Sequence, residues 1–208
     1  MLDLYTWNTP NGHKGRIAVE EMGLPYNLHA VNLQAKENVS DEYSAISASR
    51  RIPTLVDSNG PGGQPVTLIE SGVILVYLAQ KTANAMYPED AKDRLEVDQW
   101  ALHGQATFGP GLTPLGHLEN IIDGDNAGAL DFFKARGERL YETLDRRLEG
   151  RTYIALDTYT VCDVAHFTAV NLHQYQRIDL ANYANVKRWY ETILARPAVQ
   201  RGLAVVAG

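Results

Sequence analysis

The feature that most constrains this chain is a change of pattern near residue 82. Before it, short stretches of alternating apolar and polar residues are interleaved with helical periodicity; after it, strand signals vanish and helical periodicity alone remains. A chain divided in this way asks for an α/β domain followed by an all-α domain, which 208 residues allow. The expected division is 1–82, a short mixed linker 83–90 containing Pro88, and a helical domain 91–208.

Within the first part, Leu2-Asp3-Leu4-Tyr5-Thr6 alternates as a half-buried strand, and Thr9-Pro10-Asn11-Gly12 breaks it. A helix is expected from about residue 13 to Met22, with Ile17, Ala18 and Met22 on one face and Gly23 ending it. A second strand runs from Tyr26 through Leu33, parallel to the first because a helix connects them. A short helix carries Tyr43 and Ile46, and a third strand spans Arg50 to Asp57 through Pro53. Turn-forming residues Ser58 to Gly63 lead to an antiparallel partner, Val66 to Ile69, and Glu70-Ser71-Gly72 opens a helix ending near Thr82. The order β-α-β-α-β-β-α is that of the thioredoxin-like fold.

Beyond the linker, helices are expected at roughly 89–106, 129–148, 162–175 and 183–195. The cluster Gly109-Pro110-Gly111 with Thr113-Pro114 should kink or end the first of them. Thr160-Val161-Cys162-Asp163 is the clearest helix start, a threonine cap with an acidic residue at the third helical position.

Composition limits the function. Lys and Arg number 19 against 25 Asp and Glu, a net charge of −6, so no basic footprint for nucleic acid or an anionic membrane is present. No stretch approaches the roughly 18 apolar residues of a spanning helix. Asp3, Asn8, Pro10 and Asn11 interrupt any signal-peptide core, so a cytoplasmic protein is expected. The single cysteine, Cys162, permits neither an intrachain disulfide nor a CxxC pair. Among Val161, Val164 and Ala165 it reads as a small buried hydrophobe, and any sulfur chemistry needs a sulfur from elsewhere.

Three segments have alternative readings. Thr9 to Lys14 is a turn and helix cap by residue type, but a helix N-terminus there also offers free N–H groups and partial positive charge to an anion such as a thiolate. Arg51-Ile52-Pro53 is an ordinary proline opening a strand, or a place where the residue before proline pairs its backbone with a peptide-like ligand. Glu70-Ser71 is a helix cap, or an ammonium and carboxylate receptor for an α-amino-acid end. Tyr5 is assigned to packing, and Trp7 and Asn8 are candidates for the ligand border, with a buried aromatic as the plain reading of Trp7.

The mutual order of these segments, followed by a helical part carrying the Thr160-x-x-Asp163 cap, resembles the glutathione transferase superfamily over essentially the whole chain. Thr9-Pro10-Asn11-Gly12 followed by His13-Lys14 looks like the nu-class bacterial branch, relatives of the yeast nitrogen-regulation prion protein. The resemblance implies that Thr9 and Asn11 are catalytic, orienting the glutathione sulfur, that Ile52 pairs with the cysteinyl backbone before a cis Pro53, and that Glu70 and Ser71 hold the γ-glutamyl end. Asn38 and Arg51 stand where the branch often has Gln and Lys, for the glycyl end. By the same resemblance the first long helix of the helical part, with Trp100, His103, Gln105 and Phe108, lines the second-substrate pocket; core packing is the plain reading of Trp100 and Phe108. Arg136 and Arg139 read as a solvated face.

The resemblance further implies glutathione as co-substrate, no metal, a small thiol or disulfide as partner, a homodimer, and thiol–disulfide exchange using two glutathiones or their disulfide. Conjugation to electrophiles in detoxification, peroxide reduction, and non-catalytic regulation are the alternatives. The last is disfavoured by Thr9 and Asn11 and by the lack of an Asn/Gln-rich extension before Met1.

Overall fold

Strand β1 (Leu2–Thr6) turns Leu2, Leu4 and Thr6 inward and lies inside a four-stranded sheet of order β2-β1-β3-β4. It pairs in parallel with β2 (Tyr26–Ala30), Leu4 opposite Leu28, and antiparallel with β3 (Thr54–Asp57), Leu4 opposite Leu55. Strand β4 (Val66–Leu68) completes the antiparallel hairpin on β3. Helices α1 (Pro10–Glu21), α2 (Asp41–Ile46) and α3 (Ser71–Lys81) supply the connections, giving the expected thioredoxin-like order. The computed structural model describes residues 1–206, which form two compact units: Met1–Asn84 with the segment from Arg196 onward, and Ala85–Ala195.

Two strands are shorter than their apolar runs. β2 ends at Ala30 although the apolar run continues to Leu33; Val31 N–H still reaches Thr6 C=O, and then Asn32 Oδ1 accepts from the N–H groups of Gln34 (3.0 Å) and Ala35 (3.1 Å). That side-chain turn takes the chain off the ladder. β3 begins at Thr54, not at Arg50, because Arg50 sits at φ +53°, outside the extended region. Helix α1, conversely, begins at Pro10, three positions before its expected start, because proline at the first helical position lacks only an N–H that has no intrahelical partner anyway.

Helix α1 is enclosed on several sides. Ile17, Ala18 and Val19 are all fully buried, which a helix with a single buried face does not require. It packs against α3 and against α9 (Pro197–Leu203), a helix the periodicity did not suggest. Gly202 is the contact point: a methyl group there would stand 2.8 Å from the Ile17 Cα. The segment expected to belong with the helical domain up to residue 208 therefore packs, from Arg196, on the sheet-containing unit. Bidentate Arg196–Glu21 (2.7 and 2.8 Å) and Arg201–Glu20 (2.5 Å) pairs fasten it.

In the second unit, α4 (Ala91–Leu102) starts on Asp90, whose Oδ1 accepts from Lys92 and Asp93 N–H. The chain then widens into a π-helical stretch, His103–Phe108, and continues as α5 (Gly109–Asn120). The Gly-Pro cluster thus does not end the helical run, which continues through it to Asn120. Pro110 is the second residue of α5, and Pro114 is carried inside the helix.

Helices α6 (Ala127–Arg147), α7 (Val161–Val170) and α8 (Ala184–Leu194) follow. Every residue of α7 is buried, and the capping box that starts it is present. The Asp163 carboxylate accepts from the N–H groups of Ile154 (3.0 Å) and Thr160 (2.9 Å) and from Trp189 Nε1 (2.9 Å). Burial pushes this carboxyl above its usual range, and those donors counter the effect only in part. Among the described residues, no helix is long and apolar enough to cross a membrane.

Candidate active site

Thr9 is extended and its Oγ1 accepts a hydrogen bond from Gly12 N–H at 3.1 Å, so the residue is the cap of α1. Capping and ligand binding do not compete here. The cap uses an acceptor lone pair of the hydroxyl, which leaves the O–H to donate to an anion at the helix N-terminus. Gly12 makes the turn tight: a Cβ on it would lie 2.1 Å from the Trp7 carbonyl oxygen, so no larger residue fits. Trp7 is buried and donates through Nε1 to Gln34 Oε1 (2.8 Å), which makes it a wall of the turn.

Asn11 is exposed on the first turn of α1, and its Oδ1 accepts from the Lys14 ammonium at 3.0 Å. Lys14 itself is only 3% exposed. Burial lowers its pKa to about 8, against which the Glu70 carboxylate favours the charged form. His13 beside it is pushed down to about 4, first by burial and then by Arg16. At neutral pH the turn thus carries a neutral imidazole and a mostly charged, buried amine.

The second segment meets the first through Gly15, where a methyl group would stand 3.2 Å from Pro53 Cβ. The Ile52–Pro53 peptide is cis, as the resemblance implied. The Arg51 carbonyl is occupied by the Tyr43 hydroxyl (2.7 Å) and by Thr54 Oγ1 (3.3 Å). The sheet ladder starts only at Thr54, so Ile52 stands ahead of it at the end of the sheet. Asn38 donates through Nδ2 to the Arg50 carbonyl (3.0 Å) and so braces the same loop, while the Arg51 side chain is exposed.

Glu70 completes the cluster. It sits at φ +70°, ψ +110°, unusual for a residue with a side chain and costly by about 1–3 kcal/mol. Its carbonyl accepts from Ile74 N–H (3.1 Å), its side chain is exposed, and Ser71 behind it is buried. Strain of this kind persists where surrounding structure holds it, and it recurs at ligand clamps. The electrostatic coupling of Glu70 to Lys14 ties this end of the site to the first turn of α1.

His103 and Phe108 lie in the helical unit. His166 Nδ1 donates to the Cys162 carbonyl (2.9 Å), so its Nε2 accepts from His103 Nδ1 (2.9 Å), leaving His103 Nε2 as an acceptor. Gly104 permits that approach, since a Cβ there would meet His166 at 2.8 Å. Burial holds the His103 pKa below its ordinary value. Phe108 is fully buried between Tyr141 and His166 and offers no surface to a ligand. Cys162 is fully buried beside Thr160 Oγ1 (2.8 Å), and burial pushes its thiol well above the usual range.

Several contacts escaped the sequence reading. The burial of Lys14 and Arg16 was hidden because a charged residue on a short helix normally marks the solvent face. The signal available was their position between Gly12, Gly15 and the apolar run Ile17 to Val19, all buried. Tyr43 was seen only as an apolar position, although its hydroxyl bridges Arg51 C=O and Thr54 Oγ1. Asn8 pairs with the backbone of Val206 in both directions (2.9 Å each).

A thioredoxin-like domain that gathers a helix-capping hydroxyl, a cis proline and a strained acidic residue at one end of its sheet, in a chain that also carries a helical unit, defines a class of small-thiol-handling proteins. Family models for the glutathione S-transferase N-terminal domain match residues 9–81, and for the C-terminal domain residues 131–197. The chain belongs to the glutathione S-transferase family. It is 37% identical to the disulfide-bond oxidoreductase YfcG of Escherichia coli (strain K12), over 98% of this chain and 94% of that protein. A glutathione transferase from Pseudomonas putida, solved with one glutathione disulfide per subunit, superposes with a TM-score of 0.94 at 34% identity, covering 99% and 92% of the two chains. A family member from Pseudomonas fluorescens pf-5 with two glutathione bound gives 0.93 at 33%, covering 97% and 92%.

Proposed function

We propose that this protein is a glutathione-dependent thiol–disulfide oxidoreductase. The observation that carries this reading is the convergence, within one unit, of the Thr9 hydroxyl at a helix N-terminus with Pro53, packed on Gly15, and Glu70, coupled to Lys14. Thr9 O–H and the Asn11 carboxamide donate to the glutathione sulfur and, with the helix N-terminus, favour the thiolate. Ile52 pairs with the cysteinyl backbone, Glu70 takes the γ-glutamyl ammonium and Ser71 its carboxylate. Asn38 and Arg51 face the glycyl end.

The bound thiolate attacks one sulfur of a small disulfide; a mixed disulfide forms, the original S–S bond breaks, and one substrate thiolate leaves. A second glutathione thiolate then attacks the glutathione sulfur of the mixed disulfide. The other substrate thiolate departs, and glutathione disulfide forms. Two glutathiones supply the two electrons, so neither a metal nor a protein cysteine is needed. That agrees with Cys162, whose buried thiol has no route to this chemistry. His103, whose Nε2 is an acceptor, is proposed as a second-substrate residue within the helical unit.

Purified protein should reduce a small disulfide with glutathione faster than it conjugates a model electrophile or reduces a hydroperoxide. Thr9→Ala should lower kcat/KM about a hundredfold, as loss of one preorganised donor does elsewhere, with a much smaller change in glutathione affinity. Glutathione binding without turnover in any of the three assays would sink the enzyme reading. A cytoplasmic homodimer belongs to the same proposal: Leu95 and Leu102, seven positions apart on α4, are 70% and 67% exposed. Light scattering on the assayed preparation should give twice the chain mass.

A further inference from the structure

We propose that Lys14 is a positioning residue for the sulfur-binding pair: its ammonium fixes which end of the Asn11 carboxamide faces the ligand and places a cation beneath the thiolate. The inference rests on the reading that Asn11 contacts the glutathione sulfur. An amide side chain presents either a carbonyl oxygen or an NH2 group, and the two ends are sterically alike. An acceptor facing a thiolate repels it, whereas a donor stabilises it, so the sense of the amide decides whether Asn11 helps or hinders. A lysine ammonium has donors only; the 3.0 Å contact from Nζ to Oδ1 therefore selects one sense and leaves Nδ2 to donate.

The same geometry places the charge. Lys14 is three positions beyond Asn11, on the same side of the first turns of α1, and is 3% exposed. In so dry a location its field is screened far less than that of a surface lysine. Glu70, from the junction of β4 and α3, favours the ammonium; Arg16 and His13 flank it on its own helix, and His13 is neutral at neutral pH. Arg16 is directed to the Ala204 carbonyl. Lys14 thus links the two ends of the site, touching the sulfur-facing amide and feeling the carboxylate assigned to the γ-glutamyl ammonium.

The test follows the ultraviolet absorbance of the glutathione thiolate bound to the full-length protein as pH is varied. Lys14→Met, which keeps the stem and removes both donor and charge, should raise the apparent thiol pKa by about one unit, a roughly tenfold smaller thiolate fraction below that pKa. It should lower kcat more than it raises KM for glutathione. Lys14→Gln, which keeps a donor for Asn11 Oδ1 without the charge, should fall between Met and wild type, and carries the comparison where Lys14→Met fails to fold. Titration curves for both variants that superimpose on wild type overturn the inference. Asn11→Ala in the same titration separates the two levels. If it shifts the curve and the Lys14 variants do not, only the role of Lys14 falls; if it too leaves the curve unmoved, the assignment of the sulfur to Asn11 falls and takes Lys14 with it.

Discussion

At the residue scale, the N-terminal turn of α1 concentrates groups whose ionisation burial has altered. His13 is the one whose effect reaches stability. Its folded pKa of about 4 lies below the ordinary 6.5, so between those values the unfolded chain takes up a proton that the folded protein refuses. Stability contributed by neutral His13 is present above pH 6.5 and is lost on acidification, by at most ~1.4 kcal/mol per pH unit across that window. Carboxylates titrate in the same range, so the comparison must be made against His13→Gln. The urea midpoint of wild type should fall more steeply than that of the variant between pH 7 and pH 4.5; parallel falls would refute a depressed histidine.

At the element scale, α1 is held at both ends by parts of the chain remote in sequence. Its N-terminal turn is preceded by Asn8, whose carboxamide mimics a strand partner by accepting from Val206 N–H and donating to Val206 C=O, each at 2.9 Å. Arg16 reaches the Ala204 carbonyl from the same helix. The C-terminal segment therefore straps the loop that delivers Thr9. Asn8→Ala removes both bonds while leaving Thr9 and Gly12 unchanged. Two part-buried hydrogen bonds of about 1 kcal/mol each should lower thermal stability by several degrees. The variant should also show faster amide exchange at Gly12 and His13, read by hydrogen–deuterium exchange; unchanged exchange would mean the strap does not govern the turn.

At the scale of the whole molecule, the chain leaves the sheet-containing unit at residue 84 and returns to it at Arg196. A fragment cut at the expected boundary, residues 1–82, lacks α9 and so uncovers the face of α1 around Ile17, where fully burying one such side chain is worth about 1.5–3 kcal/mol. That fragment should bind a dye for exposed apolar surface and show a broad, non-cooperative thermal transition. A sharp transition like that of the full chain would show α9 to be dispensable.

The elements that were legible are those whose signals are local. Alternation in Leu2 to Thr6, turn formers at Ser58 to Gly63 and the Thr160-x-x-Asp163 cap each act over a few residues, and each produced the expected element. That helical residues continue past the Pro-rich segment was not legible, since the π-helical stretch His103–Phe108 ahead of it has no signature in local periodicity. Helix α9 was missed because seven residues carry too little periodicity to stand out. In the candidate site, Thr9, Asn11, Pro53 and Glu70 were readable as candidates, whereas Lys14 was legible only as the end of the Thr9–Lys14 motif and not as a buried cation, since the character of a lysine depends on what surrounds it.

The sequence by itself determined the order of elements in the α/β part, the capping chemistry of Thr9 and Thr160, and the need for a sulfur other than that of Cys162, because these follow from residue type, spacing and count. Only the tertiary structure decided that Gly15 lies on Pro53, that Glu70 feels a buried Lys14, and that the last helix closes over α1. Those are contacts between segments tens of residues apart, and burial, which sets the charge of Lys14 and His13, is a property of the packed chain and not of any stretch of it.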